Sequence, residues 1–181
     1  MKFFKEVKLK NGSECIIRNA IEADASEVLE HLKHISAETE EMTRYPDEYT
    51  ITEKEERKFI KSMEASPNAI LIVAELEGKI VGTASLWRLS GFEKFLHRSG
   101  FGVGIQKAHW GYGIGNHIMG VIIESAKNAG YEQIELEVST NNDRAVSLYK
   151  KFGFEIFGTN KWFSKTRDGK YQEMYYMLLR L

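Results

Sequence analysis

Cysteine is almost missing from this chain: Cys15 stands alone among 181 residues. That excludes an internal disulfide and fits a reducing compartment, and such a residue reads most simply as a small buried apolar group. Proline is nearly as scarce, with only Pro46 and Pro67, and no low-complexity linker or internal repeat divides the sequence. The length therefore reads as one domain, 1–181, large enough for a real core. No apolar run approaches a membrane span, and the first residues, with two phenylalanines among lysines, do not read as a signal peptide. A cytoplasmic location with no membrane partner is the expectation. Excess charge of one sign is also missing: the net charge is −1, which argues against a general nucleic-acid binder. No His/Cys cluster has metal-ligand spacing and no Ser-His-Asp arrangement is evident, so no metal site is expected.

What is present centres on residues 103–115. Phe101, Val103 and Ile105 alternate as a strand, with Gly104 between the last two. A polar gap follows, then Trp110, Gly111, Tyr112, Gly113, Ile114, Gly115 and Asn116. Ile114, Ile118 and Ile122 recur every four residues, the apolar stripe of a helix. A glycine-rich turn thus opens a helix just after a strand. Unpaired amides and the positive end of the dipole make a helix N-terminus an anion site, and glycines let a phosphate approach the backbone. The bland alternative is a tight turn with no ligand, which three alternating glycines in this context disfavour. A dinucleotide fingerprint would be Gly-x-Gly-x-x-Gly directly after the strand, and this spacing differs.

Along the rest of the chain, residues 4–17 read as a hairpin around Asn11-Gly12. Asp24 to Glu27 and Thr52 to Glu55 have capping-box spacing and open two helices. The acidic stretch 38–49 between them reads as irregular. Strands are expected at 70–76, 79–89, 95–105 and 133–138, then a helix from Asn141 or Asn142 to Phe152, and two closing strands at 154–162 and 171–181.

A second signature sits on that last helix: Asn142, Ala145, Leu148, Tyr149, Gly153 and Phe154. Together with residues 103–115 it resembles the GNAT family of N-acetyltransferases, strongly over about residues 70–181. The resemblance implies an α/β chain with the GNAT (acyl-CoA N-acyltransferase) fold: a mixed, mostly antiparallel sheet, a central βαβ unit and flanking helices. It implies direct transfer of an acetyl group from acetyl-CoA, the cosubstrate, to a primary amine of a small molecule or peptide. A non-catalytic acyl-CoA-sensing module of the same fold is the alternative. It further implies that Val103, Gly104, Ile105, Trp110, Gly111, Tyr112, Gly113, Ile114, Gly115, Asn116, Asn142 and Tyr149 hold the cosubstrate. The strand at 103–105 is expected to splay from its neighbour and pair with the pantetheine arm. Tyr149 would protonate the departing thiolate, and Asn142 would touch the pantetheine arm unless it is occupied as an N-cap. Trp110 stands where the family has Gln or Arg.

The base is less determined. His97 shares strand parity with Val103 and Ile105 and is the right type for neutral pH. Glu93, Glu135 and Glu137 are alternatives, acting through a water. His109 and His117 sit near the glycines, where they face either a phosphate or solvent. His31 and His34 lie on the first helix. The acidic stretch 38–48 would steer a cationic acceptor. The aromatic strand at 171–176, with Trp162 and Phe163, supplies a face for a homodimer or else belongs to the core.

Overall fold

The computed structural model describes residues 2–181. Its elements follow the expected order. Strands β1 (Phe4–Lys8) and β2 (Glu14–Asn19) form the first hairpin, and helices α1 (Ala25–Glu38) and α2 (Glu53–Ala65) follow. Then come β3 (Ile70–Leu76), β4 (Lys79–Arg88), β5 (Arg98–Ile105), α3 (Ile114–Asn128), β6 (Gln133–Ser139), α4 (Asp143–Lys151), β7 (Glu155–Lys165) and β8 (Tyr171–Arg180). The eight strands make one sheet in the order β1-β2-β3-β4-β5-β6-β8-β7. Every neighbouring pair is antiparallel except β5 and β6, which flank α3 as the βαβ unit.

The continuous apolar run of β3 has a structural cause: both faces of the sheet are covered there. Ile70, Ile72 and Ala74 face the cluster under α3, with Ile118, Met119 and Ile122. Leu71 and Val73 face the other cluster, with Val28 of α1 and Ile60 and Met63 of α2. Cys15 is fully buried in the first cluster, where burial pushes its thiol up to about 11 and leaves it unreactive. No helix among the described residues is long and apolar enough to cross a membrane.

Several boundaries differ from expectation. The helix α2 start is the expected capping box: the Thr52 hydroxyl accepts from the Glu55 amide, and Glu55 accepts from the Thr52 amide. The α1 start is not. Asp24 accepts instead from Arg18 at 2.7 and 2.9 Å and from the Ile21 amide, and Glu27 accepts from the Ile80 amide of β4. A tertiary ion pair has taken the side chain that local spacing offered as a cap. Strand β5 begins at Arg98, not at Phe95, because residues 93–95 form a 3-10 turn. β7 runs on to Lys165, pairing with β8 through two register shifts. Of the aromatics expected on an association face, Trp162 and Tyr171 are exposed, whereas Tyr175 packs against the core.

The acidic stretch between α1 and α2 is largely engaged in structure. Glu38 accepts from the Lys107 amide, Glu48 accepts from the Tyr45 amide, and Asp47 makes a two-pronged pair with Arg167. Arg167 also lies 4.1 Å over the Tyr45 ring, so the turn between β7 and β8 clasps this loop.

Candidate active site

The site begins where two parallel strands part. β5 pairs with β6 only through Arg98↔Gln133, Ser99↔Ile134 and Gly100↔Glu135. Beyond Gly100 the strand continues to pair with β4, as far as Ile105↔Gly82, but its other edge is open. Arg98 grips both carboxylate oxygens of Glu135 at 2.5 and 2.7 Å beside the last rung. That guanidinium holds the Glu135 carboxyl below its ordinary value.

The opening is a cleft in two halves, of about 650 and 410 Å³. The halves share Glu41, Met42, Val103, Gly104, Asn142, Ala145 and Tyr149 in their walls. The smaller half runs along the glycine loop to the start of α3. Gly111 and Gly113 have φ of 83° and 98°, conformations that side chains disfavour. Gly113 is the N-cap of α3, and no side chain caps that helix, so its first amides remain available. Lys10, Arg144 and Lys151 line this half. Its open amides and basic rim fit a diphosphate-bearing ligand.

Trp110 has a specific place. Its Nε1 donates to the Ile105 carbonyl at 2.7 Å, pinning the loop to the end of β5. The Arg144 guanidinium lies 4.8 Å above its ring. A cation is therefore present at this end of the cleft, carried by α4 and seated on the indole.

Asn142 caps α4, its Oδ1 accepting from the Ala145 amide at 3.1 Å. That orientation leaves Nδ2 as a donor, so capping and ligand contact do not compete. Tyr149, two turns further on, is 7 % exposed, edge-on to Phe101 with ring centroids 6.1 Å apart. Its hydroxyl has no hydrogen-bond partner among the described residues. Burial raises its phenol pKa, so it stays protonated and can donate.

Of the residues expected to hold a cosubstrate, Val103, Gly104, Ile105, Trp110, Gly111, Gly113, Ile114, Gly115, Asn116, Asn142 and Tyr149 line the smaller half. Tyr112 does not. Its carbonyl accepts from the Lys10 amide and its ring packs on the core and against His109.

His97 is not brought to the site. It lies in the turn before β5, its carbonyl accepting from the Glu132 and Gln133 amides. The β5–β6 edge parts only beyond Gly100, and His97 lines neither half of the cleft, so strand parity with Val103 does not place it there. Glu93, on the exposed 3-10 turn, is also outside the lining. Glu137 does line the larger half, and desolvation raises its carboxyl pKa. His109 lines the smaller half, and His117 does not.

Three features escaped the sequence reading. Glu56 of α2 is 4 % exposed and lines the larger half. Its spacing from Ile60 and Met63 puts it on the apolar stripe of that helix, a signal that was readable. His31 of α1 is buried, with Nε2 donating to the Gly104 carbonyl at 3.3 Å and Nδ1 accepting from Gln106 at 3.4 Å. Burial pushes its imidazole down to about 4, so the ring is neutral and fixes the backbone of the shared wall. Finally, Gly100 makes room for an aromatic ring: a Cβ there would sit 2.6 Å from the Trp87 indole, which forms part of the larger half.

Comparison with known proteins bears on the family and the fold. Residues 30–154 match the model of the acetyltransferase (GNAT) family. An L-amino acid N-acetyltransferase of Escherichia coli is 28 % identical over 166 residues, covering 91 % of this chain and 97 % of the relative. A GNAT-family acetyltransferase from Streptococcus pneumoniae superposes with a TM-score of 0.88 at 30 % identity, covering 92 % of this chain and 99 % of that one. A Salmonella typhimurium protein solved with acetyl-CoA as its cofactor shares the fold, with a TM-score of 0.81 at 20 % identity over 92 % of this chain and 94 % of that one.

Proposed function

The chain belongs to the GNAT family of acetyltransferases, and from that premise we propose that residues 1–181 act as one catalytic domain with a two-sided cleft. The enzyme is an N-acetyltransferase that uses acetyl-CoA and acetylates a primary amine of a small molecule or peptide. The smaller half of the cleft holds acetyl-CoA and the larger half holds the acceptor. The observation that carries this assignment is the wall common to both, which includes Val103, Gly104, Asn142, Ala145 and Tyr149. Two substrates that meet where the halves join are held for direct transfer.

The chain's own groups have distinct tasks in this reading. The amides of the glycine loop and the start of α3, with Arg144 and Lys10, hold the diphosphate. The open edge at 103–105 and the Asn142 Nδ2 position the pantetheine arm. Glu137, which lines the larger half and is open to solvent, takes the proton from the attacking ammonium through a water. The amine nitrogen then bonds to the acetyl carbon, the carbon–sulfur bond breaks, and the Tyr149 hydroxyl delivers a proton to the departing sulfur.

Thermal unfolding and thiol release together test the reading. Acetyl-CoA is expected to raise the Tm, because it binds the native state alone, and an amine panel is expected to elicit free CoA thiol. Stabilisation without thiol release from any amine would favour the non-catalytic acyl-CoA-sensing module instead.

A further inference from the structure

The larger half of the cleft is lined by carboxylates of one sign. Glu41, Glu56, Glu135 and Glu137 line it, and among the described residues no lysine, arginine or histidine does. Glu135 is already matched by Arg98. A set of acids on a surface would signify only solvation, and the acidic loop before α2 is mostly engaged in its own hydrogen bonds. Glu56 is different. It is 4 % exposed, no hydrogen bond or ion pair engages its carboxylate among the described residues, and its oxygens are not among the fully enclosed polar atoms, so what surface they keep faces the cleft. No basic group offsets its desolvation. Buried carboxylates ordinarily have partners, because an unpaired charge in a dry site is costly. This one opens on a cavity that also presents Phe59, Trp87, Phe157 and Tyr176. An unmatched carboxylate among aromatic faces suits a cation that arrives with the ligand.

We infer that the acceptor is a cationic amine without a carboxylate, of the α,ω-diamine type, with one ammonium paired to Glu56 and the other amine presented to the acetyl group. The inference rests on the transferase reading above. A free amino acid would bring its carboxylate into a cavity that has no cation to receive it and several carboxylates to repel it. A diamine of the same skeleton brings only complementary charge.

Three acceptors with one carbon chain test this: 1,5-diaminopentane, L-lysine and n-pentylamine. The parent enzyme is expected to show kcat/KM for the diamine about tenfold or more above that for lysine and for the monoamine, the discrimination expected of one charge-assisted pair. Glu56→Gln, which keeps the shape and removes the charge, is expected to reduce the diamine-to-monoamine ratio by about tenfold. Preference for lysine or another free amino acid in the parent enzyme would overturn the inference while leaving the transferase reading standing. So would an unchanged diamine-to-monoamine ratio in Glu56→Gln. Absence of thiol release with every amine, in protein that acetyl-CoA still stabilises, would overturn the transferase reading and this inference with it. The comparison within the parent enzyme holds whether or not the variant folds.

Discussion

Glu56 shows most clearly what single residues contribute, because its burial opposes stability. Desolvation raises its carboxyl pKa above the unfolded value. Below the unfolded pKa the group is protonated in both states and costs nothing differential. As pH rises through the folded value, the native state acquires an unpaired buried charge and loses stability. Glu56→Gln without ligand should therefore have a higher Tm than the parent at pH 7, by roughly 2–4 °C for each kcal/mol recovered. The gain should shrink as pH falls toward about 4, near the ordinary glutamate value. Thermal scans across pH measure this, and a variant less stable than its parent at pH 7 would place Glu56 among ordinary packing residues. The residue was readable on the apolar stripe of α2, yet its meaning was not, since only the fold reveals that no cation faces it. His97 failed in the opposite way. Its type and parity looked right, but the strand begins one residue later and His97 lies in the turn before it, outside both halves of the cleft.

At the scale of elements, the glycine loop and α3 were the most legible part of the chain. A strand, a polar gap, alternating glycines and an isoleucine stripe each have a local cause, and the helix begins at Ile114 as expected. Gly113 has a φ of 98°, which a β-branched residue resists at a cost of about 1–3 kcal/mol. Gly113→Val is expected to lower the Tm and to weaken acetyl-CoA binding by about tenfold or more, the factor for each 1.4 kcal/mol lost. Titration calorimetry reads this directly. Affinity equal to the parent's would mean that the diphosphate does not sit on this turn. The capping signals of the two N-terminal helices divided. Thr52 depends only on Glu55, three residues away, and formed its box; Asp24 was taken by Arg18 of β2, six residues back. Cap spacing is decisive only where no charged partner outside the helix competes. At the Trp110 position, where the family has Gln or Arg, the sequence does not show that α4 brings a cation there, with Arg144 over the indole.

For the whole molecule, order and fold class were legible, and the family resemblance supplied the splay at 103–105; the larger half of the cleft was not legible. Periodicity marks β5 and β6 as strands, but the length of their pairing depends on what packs on both faces and on the Arg98–Glu135 clamp. The two halves of the cleft arise from that short pairing, and they meet at Tyr149. In the proposed reaction, transfer occurs across this shared wall with Tyr149 as the acid. Tyr149→Phe keeps the ring against Phe101 and removes only the hydroxyl. Single-turnover acetyl transfer, with acetyl-CoA affinity measured on the same protein, tests the claim most directly. General acid catalysis is worth about 10²–10⁴ in rate, and because a thiolate leaves fairly well, a loss near the lower end is expected with affinity little changed. A chemical rate equal to the parent's, or a loss of affinity and stability together, would contradict it and return Tyr149 to a packing role.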